Sequence, residues 1–217
     1  PQATTGTVYV HGSWSTLALK QKVNIPEGES MINATITATA TEIELWWPNN
    51  VGTGKQTLYG VEASFTPDAL SNGFSRPNKG VFAVTATRKV GFRHFAIVTG
   101  PDEDPTYVKN SVGKEGTVNN GMFFRVNGAA IFARGANMIP MEELEGRMRA
   151  DALKTLVKSA ADAGFNILRN WGGGIFYPDA WYDACDEFGI MIYHDMMFAQ
   201  QGHSPQVSET EELEFRH

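Results

Sequence analysis

Apolar and polar positions follow two different rhythms along this chain, and the change of rhythm divides it. Up to about Thr99 the apolar runs are short and show no helical period. Thr7 to Val10, Leu17 to Val23, Met31 to Ala40, Leu58 to Phe65 and Gly80 to Thr87 are such runs, rich in Thr, Val and Ile. The third alternates Ile32, Ala34 and Ile36 against Asn33, Thr35 and Thr37. Side chains two apart share a sheet face, so the pattern predicts half-buried strands. Several short strands with polar turns predict an antiparallel sandwich. Pro67 to Lys79, rich in Ser, Asn, Gly and Pro, reads as a loop or hairpin tip. Trp46-Trp47-Pro48 reads as a strand end, with one tryptophan packed in the sandwich and the proline stopping the ladder. A sugar-stacking platform is the alternative for these indoles.

Pro101 to Asn120 is polar and reads as a linker or long surface loop. Met122 to Arg134 then holds two apolar runs around Asn127-Gly128, a strong hairpin signal. The second run, Ile131 to Ala133, is read as the first strand of a new sheet. Asp151 to Ala163 has the helical period, with Leu153, Leu156, Val157, Ala160 and Ala161 on one stripe and Gly164 as cap. Ile167 and Leu168 form a short strand that stops at Asn170-Trp171-Gly172, where three glycines follow. Pro178 suits a first helical turn. Trp181, Ala184, Cys185 and Phe188 make the next apolar stripe, and Gly189 closes that helix. Ile190 to Tyr193 is apolar again and ends on His194-Asp195. The order β-α-β-α-β predicts a parallel sheet, of a (β/α)8 barrel or a doubly wound fold. Ser208 with Glu211 forms a capping box for a further helix.

Composition narrows the chemistry. The 217 residues, 42% hydrophobic, suffice for one or two globular domains. A net charge of −6 argues against a nucleic-acid footprint, which needs a basic face. No apolar run approaches the roughly 20 residues of a membrane-spanning helix, and none reads as a signal peptide. The single cysteine, Cys185, has no internal disulfide partner and falls on a helical stripe, as a small core residue does. Asn33-Ala34-Thr35 is a glycosylation sequon, meaningful only in a secreted chain. Gly172 to Gly174 lacks the spacing of a dinucleotide or phosphate fingerprint, and a zinc motif and a serine-nucleophile motif are both missing.

The candidate chemistry sits where the parallel strands end, the edge at which α/β proteins keep their sites. Arg169 and Trp171 belong to the mouth of one strand, His194 and Asp195 to the next, and Asn137 to the first. Arg169 can orient a carboxylate by charge-assisted hydrogen bonds. Trp171 offers an aromatic face at this edge, and Asp195 a carboxylate. Barrel pairing, rim closure, turn formation and turn capping are the purely structural alternatives for these residues.

LRNWGGG, YPDAWYDACDEFGI and HDMMFA, with ELWWPNN, VGFRHF and FARGANMIP before them, resemble glycoside hydrolase family 2, and most of all its β-mannosidases. The resemblance implies an immunoglobulin-like β-sandwich over 1–99, a linker over 100–120, and over 121–217 the first βα units of a TIM barrel, the chain stopping inside it. It implies removal of terminal non-reducing β-mannose with retention, from oligosaccharides or glycoproteins, without metal or cofactor, nucleic acid or membrane. Retaining enzymes use two carboxyl groups about 5–5.5 Å apart. The resemblance puts both glutamates on the fourth and seventh barrel strands, downstream of this chain, so no catalytic residue is assigned here. Trp171, Arg169, Asn137 and Asp195 remain as substrate-binding candidates. Galactosidase, glucuronidase and exo-glucosaminidase relatives share the architecture, and a non-catalytic carbohydrate-binding module is the alternative of a different class. A lysosomal or secreted site fits the family, an intracellular one is the alternative, and the residues decide neither. The chain departs from the family at His194, where glutamine is usual, at Asn170, where an apolar residue is usual, and at Met138, where tryptophan is common.

Overall fold

The computed structural model describes residues 3–68, 83–99, 122–142 and 144–199. The loop expected at Pro67 to Lys79 falls mostly outside them, and the linker expected at Pro101 to Asn120 and the helix expected after Ser208 fall wholly outside. Two compact units result, and the division is not a single cut at Thr99. One comprises Pro1–Glu44 and Thr57–Phe92, the other Leu45–Gln56 and Arg93–His217.

The first unit holds an antiparallel sheet of β1 (Thr4–Gly12), β2 (Ala18–Ile25), β3 (Tyr59–Pro67) and β4 (Val84–Val90), in the order β2-β1-β3-β4. Four of the five expected strands are present. Met31 to Ala40 is not one of them: it forms no ladder, and Met31 and Ala34 are exposed. Alternation there specifies which side chains turn inward, and Ile32 and Ile36 are half-buried, but a strand also needs a backbone partner. Trp14, Tyr59 and Phe92 meet edge to face, with ring centroids 5.1–6.0 Å apart. The Trp14 indole N–H donates to the Thr37 carbonyl at 3.0 Å.

The second unit has two sheets. β5 (Phe95–Thr99), β6 (Met122–Val126) and β7 (Ala129–Ile131) are antiparallel. Asn127 and Gly128 join β6 to β7 with φ of 51° and 85°, the left-handed pair that a two-residue hairpin requires. β8 (Gly135–Met138), β9 (Ile167–Asn170) and β10 (Met191–His194) are parallel, in the order β10-β9-β8. The parallel sheet thus starts at Gly135, not at Ile131 to Ala133; Ile131 closes the hairpin and pairs with Phe124. Gly135 is what lets β8 lie against β9, because a Cβ there would overlap the Ile167 carbonyl.

Helix α1 (Ala150–Asp162) connects β8 to β9, and α2 (Asp179–Phe188) connects β9 to β10. Pro178 stands one residue before α2, with extended backbone, rather than inside its first turn. Both expected stripes face the core. Leu153 and Val157 are buried together with Leu168, Met138, Trp181, Ala184 and Cys185. Burial pushes the Cys185 thiol up to about 12, so it is an inert packing group.

Residues 45–56 belong to this second unit, which changes the reading of Trp46. Its indole is 2% exposed and donates to the Asp186 carbonyl of α2 at 2.8 Å. The Arg93 guanidinium lies 4.9 Å over its ring. Asn49 donates from its side chain to the carbonyls of Ala161 (2.8 Å) and Phe165 (2.9 Å), and from its backbone to Gly189 (2.8 Å). The segment therefore supplies donors to carbonyls at and just beyond the ends of α1 and α2. Gly189, at φ 75°, admits this contact, since a Cβ would come within 2.6 Å of the Asn49 nitrogen. Trp46 is a packing residue, but of the helical layer and not of the sandwich, and its burial leaves no face for a sugar.

Asn170 is the anomaly of this core. It is 1% exposed, and neither atom of its amide has a hydrogen-bond partner among the described residues. A buried polar group left unmatched costs about 1–3 kcal/mol. Asn170→Leu, which keeps the branch at Cγ in a somewhat larger side chain, is expected to raise stability in denaturant unfolding by about 1–2 kcal/mol on that basis. A fall in stability would mean that the amide is satisfied by internal water.

Candidate functional site

The register of the parallel sheet builds the site. Asn137 pairs with Arg169, and Arg169 with Tyr193, so three consecutive strands place one residue each in the same row. Each stands one residue before its strand's carboxyl end. Residues in one row share a face, and Asn137, Arg169 and Tyr193 line a hollow of about 340 Å3 with Gly135, Ile167 and Phe124. The opposite face carries Met138 and Leu168 into the helical core.

Arg169 is the hub. Its Nε donates to Asp195 Oδ1 at 3.2 Å and its Nη2 to Asp195 Oδ2 at 2.5 Å. Its Nη1 donates to Asn137 Oδ1 at 3.2 Å. A two-point contact fixes the plane of the guanidinium as well as its charge. The Gly172 N–H adds a third donor to the carboxylate, reaching Oδ2 at 3.1 Å, possible because the glycine turn brings its backbone to the carboxylate. Arg169, and after it that N–H, hold the Asp195 carboxyl below its ordinary value of 3.8. The same pairing raises Arg169. Near neutral pH the site therefore presents a fixed anion and a fixed cation, the latter still partly open to solvent.

The structure brings together three of the four sequence-derived candidates. Asn137 lies within a strand, not in a turn, and bonds Arg169. Asp195 grips Arg169 instead of capping the turn that follows. Trp171 joins through its backbone, its N–H donating to the Met138 carbonyl at 3.2 Å. Its half-buried indole folds over Gly173, where any side chain would collide with it. Neither Trp171 nor Asp195 lines the hollow. Sequence reasoning passed over Tyr193 and Gly172. The signal for Tyr193 was available, since Arg169 and Tyr193 both precede the last residue of neighbouring parallel strands. Gly172 offers no such signal, because a donating backbone N–H is invisible in residue type.

No family model matches the sequence. Among curated proteins, the chain is 37% identical over 160 residues to a β-mannosidase of Capra hircus, covering 74% of this chain and 15% of that protein. It is 30% identical over 198 residues to β-mannosidase B of Emericella nidulans, covering 90% of this chain and 20% of the relative. Among solved structures, the β-D-mannosidase of Dictyoglomus thermophilum superposes with a TM-score of 0.65 at 26% identity, over 91% of this chain and 21% of that one. A Bacteroides uniformis β-glucuronidase shares the fold, with a TM-score of 0.62 at 16% identity over 94% of this chain and 21% of its own. Sequence and fold together place the chain in glycoside hydrolase family 2. Within that family it is β-mannosidase-like, and it spans about 15–20% of the length of the curated relatives it matches.

Proposed function

We propose that the protein carrying this chain is a retaining glycosidase that removes terminal non-reducing β-D-mannose from oligosaccharides or glycoproteins. In this reading residues 1–99, apart from the 45–56 segment that packs on the helices, supply most of an immunoglobulin-like sandwich, and 121–217 the opening βα units of a (β/α)8 barrel. The acid/base and nucleophile glutamates belong to later strands of that barrel, and this chain contributes one wall of the pocket. The observation that carries the reading is the Asn137–Arg169–Asp195 array across three consecutive parallel strand ends. Acetal cleavage passes through an oxocarbenium-like state beside two carboxyl groups, and it needs donors and acceptors preset around the ring. Asp195 holds Arg169 in one orientation, and Asn137 buttresses it from the other side. Arg169 then offers its solvent-facing edge to a sugar hydroxyl or to a catalytic carboxylate. Trp171 closes the rim and stacks on the sugar.

Hydrolysis of a panel of aryl glycosides by the full-length protein tests this. The β-mannoside is expected to be the best substrate. A preference for the β-galactoside, β-glucuronide or β-glucosaminide moves the protein to a sister activity, and sugar binding without turnover makes it a binding module. Trp171→Ala is expected to lower kcat/KM by about tenfold, since one aromatic contact is worth roughly 0.5–1.5 kcal/mol and 1.4 kcal/mol is a factor of ten. The melting temperature should change little. Equal loss of fold would return Trp171 to a structural role.

A further inference from the structure

We propose that His194 is a positioning residue for the carboxyl-edge site, a fixed Nδ1–H imidazole that holds the Asp195 peptide in place. The inference rests on the function proposed above for its catalytic consequence, but not for its structural one.

His194 Nδ1 lies 2.7 Å from the Asp195 carbonyl oxygen. A carbonyl only accepts, so the proton is on Nδ1. Nε2 lies 3.0 Å from the Tyr182 hydroxyl. With the proton on Nδ1, Nε2 of the neutral ring can only accept, so the Tyr182 hydroxyl donates to it. A single direction of donation then runs from the Tyr182 hydroxyl through His194 to the Asp195 carbonyl. The ring is also held by packing: Phe176 stacks on it at 5.2 Å and 19°, and Tyr182 lies nearly parallel at 6.1 Å.

The consequence lies in the Asp195 backbone. Its N–H donates to the Asn170 carbonyl at 3.1 Å, and its carbonyl accepts from His194. Its carboxylate accepts from Arg169 and Gly172. Every polar group of Asp195 is thus held, and His194 supplies the one bond that comes from neither β9 nor the glycine turn. Through Phe176 and Tyr182 it also ties the loop after β9 and helix α2 to the end of β10. Without it the Asp195 peptide can rotate and carry the carboxylate off Arg169.

Three variants of the full-length protein test this. His194→Ala removes the bond to Asp195. His194→Asn keeps an amide N–H where Nδ1–H stands and loses the Tyr182 contact. Tyr182→Phe keeps both rings and frees Nε2. In hydrogen–deuterium exchange read by mass spectrometry, the peptide spanning 190–199 is expected to exchange faster in His194→Ala and near the wild-type rate in His194→Asn. With an aryl β-mannoside, His194→Ala should lower kcat by about tenfold to a hundredfold, the scale of a misplacement near 1 Å. KM should move less, and asparagine should restore most of the rate. Tyr182→Phe should show a smaller loss of the same kind. Unchanged exchange in a folded His194→Ala protein overturns the proposal, and so does asparagine failing as badly as alanine. If the wild-type protein cleaves no glycoside, the function proposed above falls, and exchange alone decides the role of His194.

Discussion

Asp195→Asn in the full-length protein is expected to lower kcat/KM for an aryl β-mannoside by about a hundredfold while the protein stays folded. The amide keeps the shape of the carboxylate, but it offers one oxygen where Arg169 now meets two. It also presents an N–H toward a guanidinium that is itself only a donor. Arg169 is then released from one plane, and a displacement of about 1 Å in a positioning group can cost a hundredfold in rate. Arg169→Lys tests the same geometry from the other partner: it keeps the charge, loses the two-point fork and should lose a comparable factor. The pH dependence has a definite sign. The Asp195 carboxyl titrates below its ordinary 3.8 when folded, so its contribution is complete above that value. It is lost only as pH falls through the lower, folded value. Activity that is unchanged in Asp195→Asn would remove the pair from the site.

Trp46→Ala is expected to destabilise the unit built from 45–56 and 93–217 by about 3–5 kcal/mol, the cost of emptying a large aromatic site in a packed core. The loss combines a buried indole, the bond to the Asp186 carbonyl and the contact with Arg93. Trp46→Phe separates these in part, since it keeps an aromatic ring for Arg93 and loses the N–H together with some of the buried indole volume. It should cost about 1–2 kcal/mol, mainly the buried carbonyl left without its donor. Denaturation followed by proteolysis of α1 and α2 reads the effect. A loss below about 1 kcal/mol for alanine would mean that the 45–56 segment is a passive strap and not part of this core.

The βαβ unit around Arg169 was legible because its signals are local. An apolar stripe at helical spacing, a proline before the helix and Gly189 after it each act within a few residues. The core stripes of α1 and α2 and the burial of Cys185 followed from the same periodicity. Errors arose where the partner was distant. Gly135 to Met138 was missed as a strand because its inward row carries glycine and asparagine in place of the usual apolar pair. Ile131 to Ala133 took its place because an apolar run does not say which sheet it joins. Met31 to Ala40 had the alternation of a strand and no neighbour to pair with.

From residues alone came the order of elements, the stripes that must be buried and a short set of polar residues at strand ends, because side-chain periodicity and turn chemistry are properties of neighbours in the chain. Only the tertiary structure decided that Arg169 faces Asn137 and Asp195, that Gly172 turns an N–H onto that carboxylate, and that Trp46 serves the helices. Those outcomes depend on strand register and on groups brought together across 26 and 140 residues, distances at which no local preference acts.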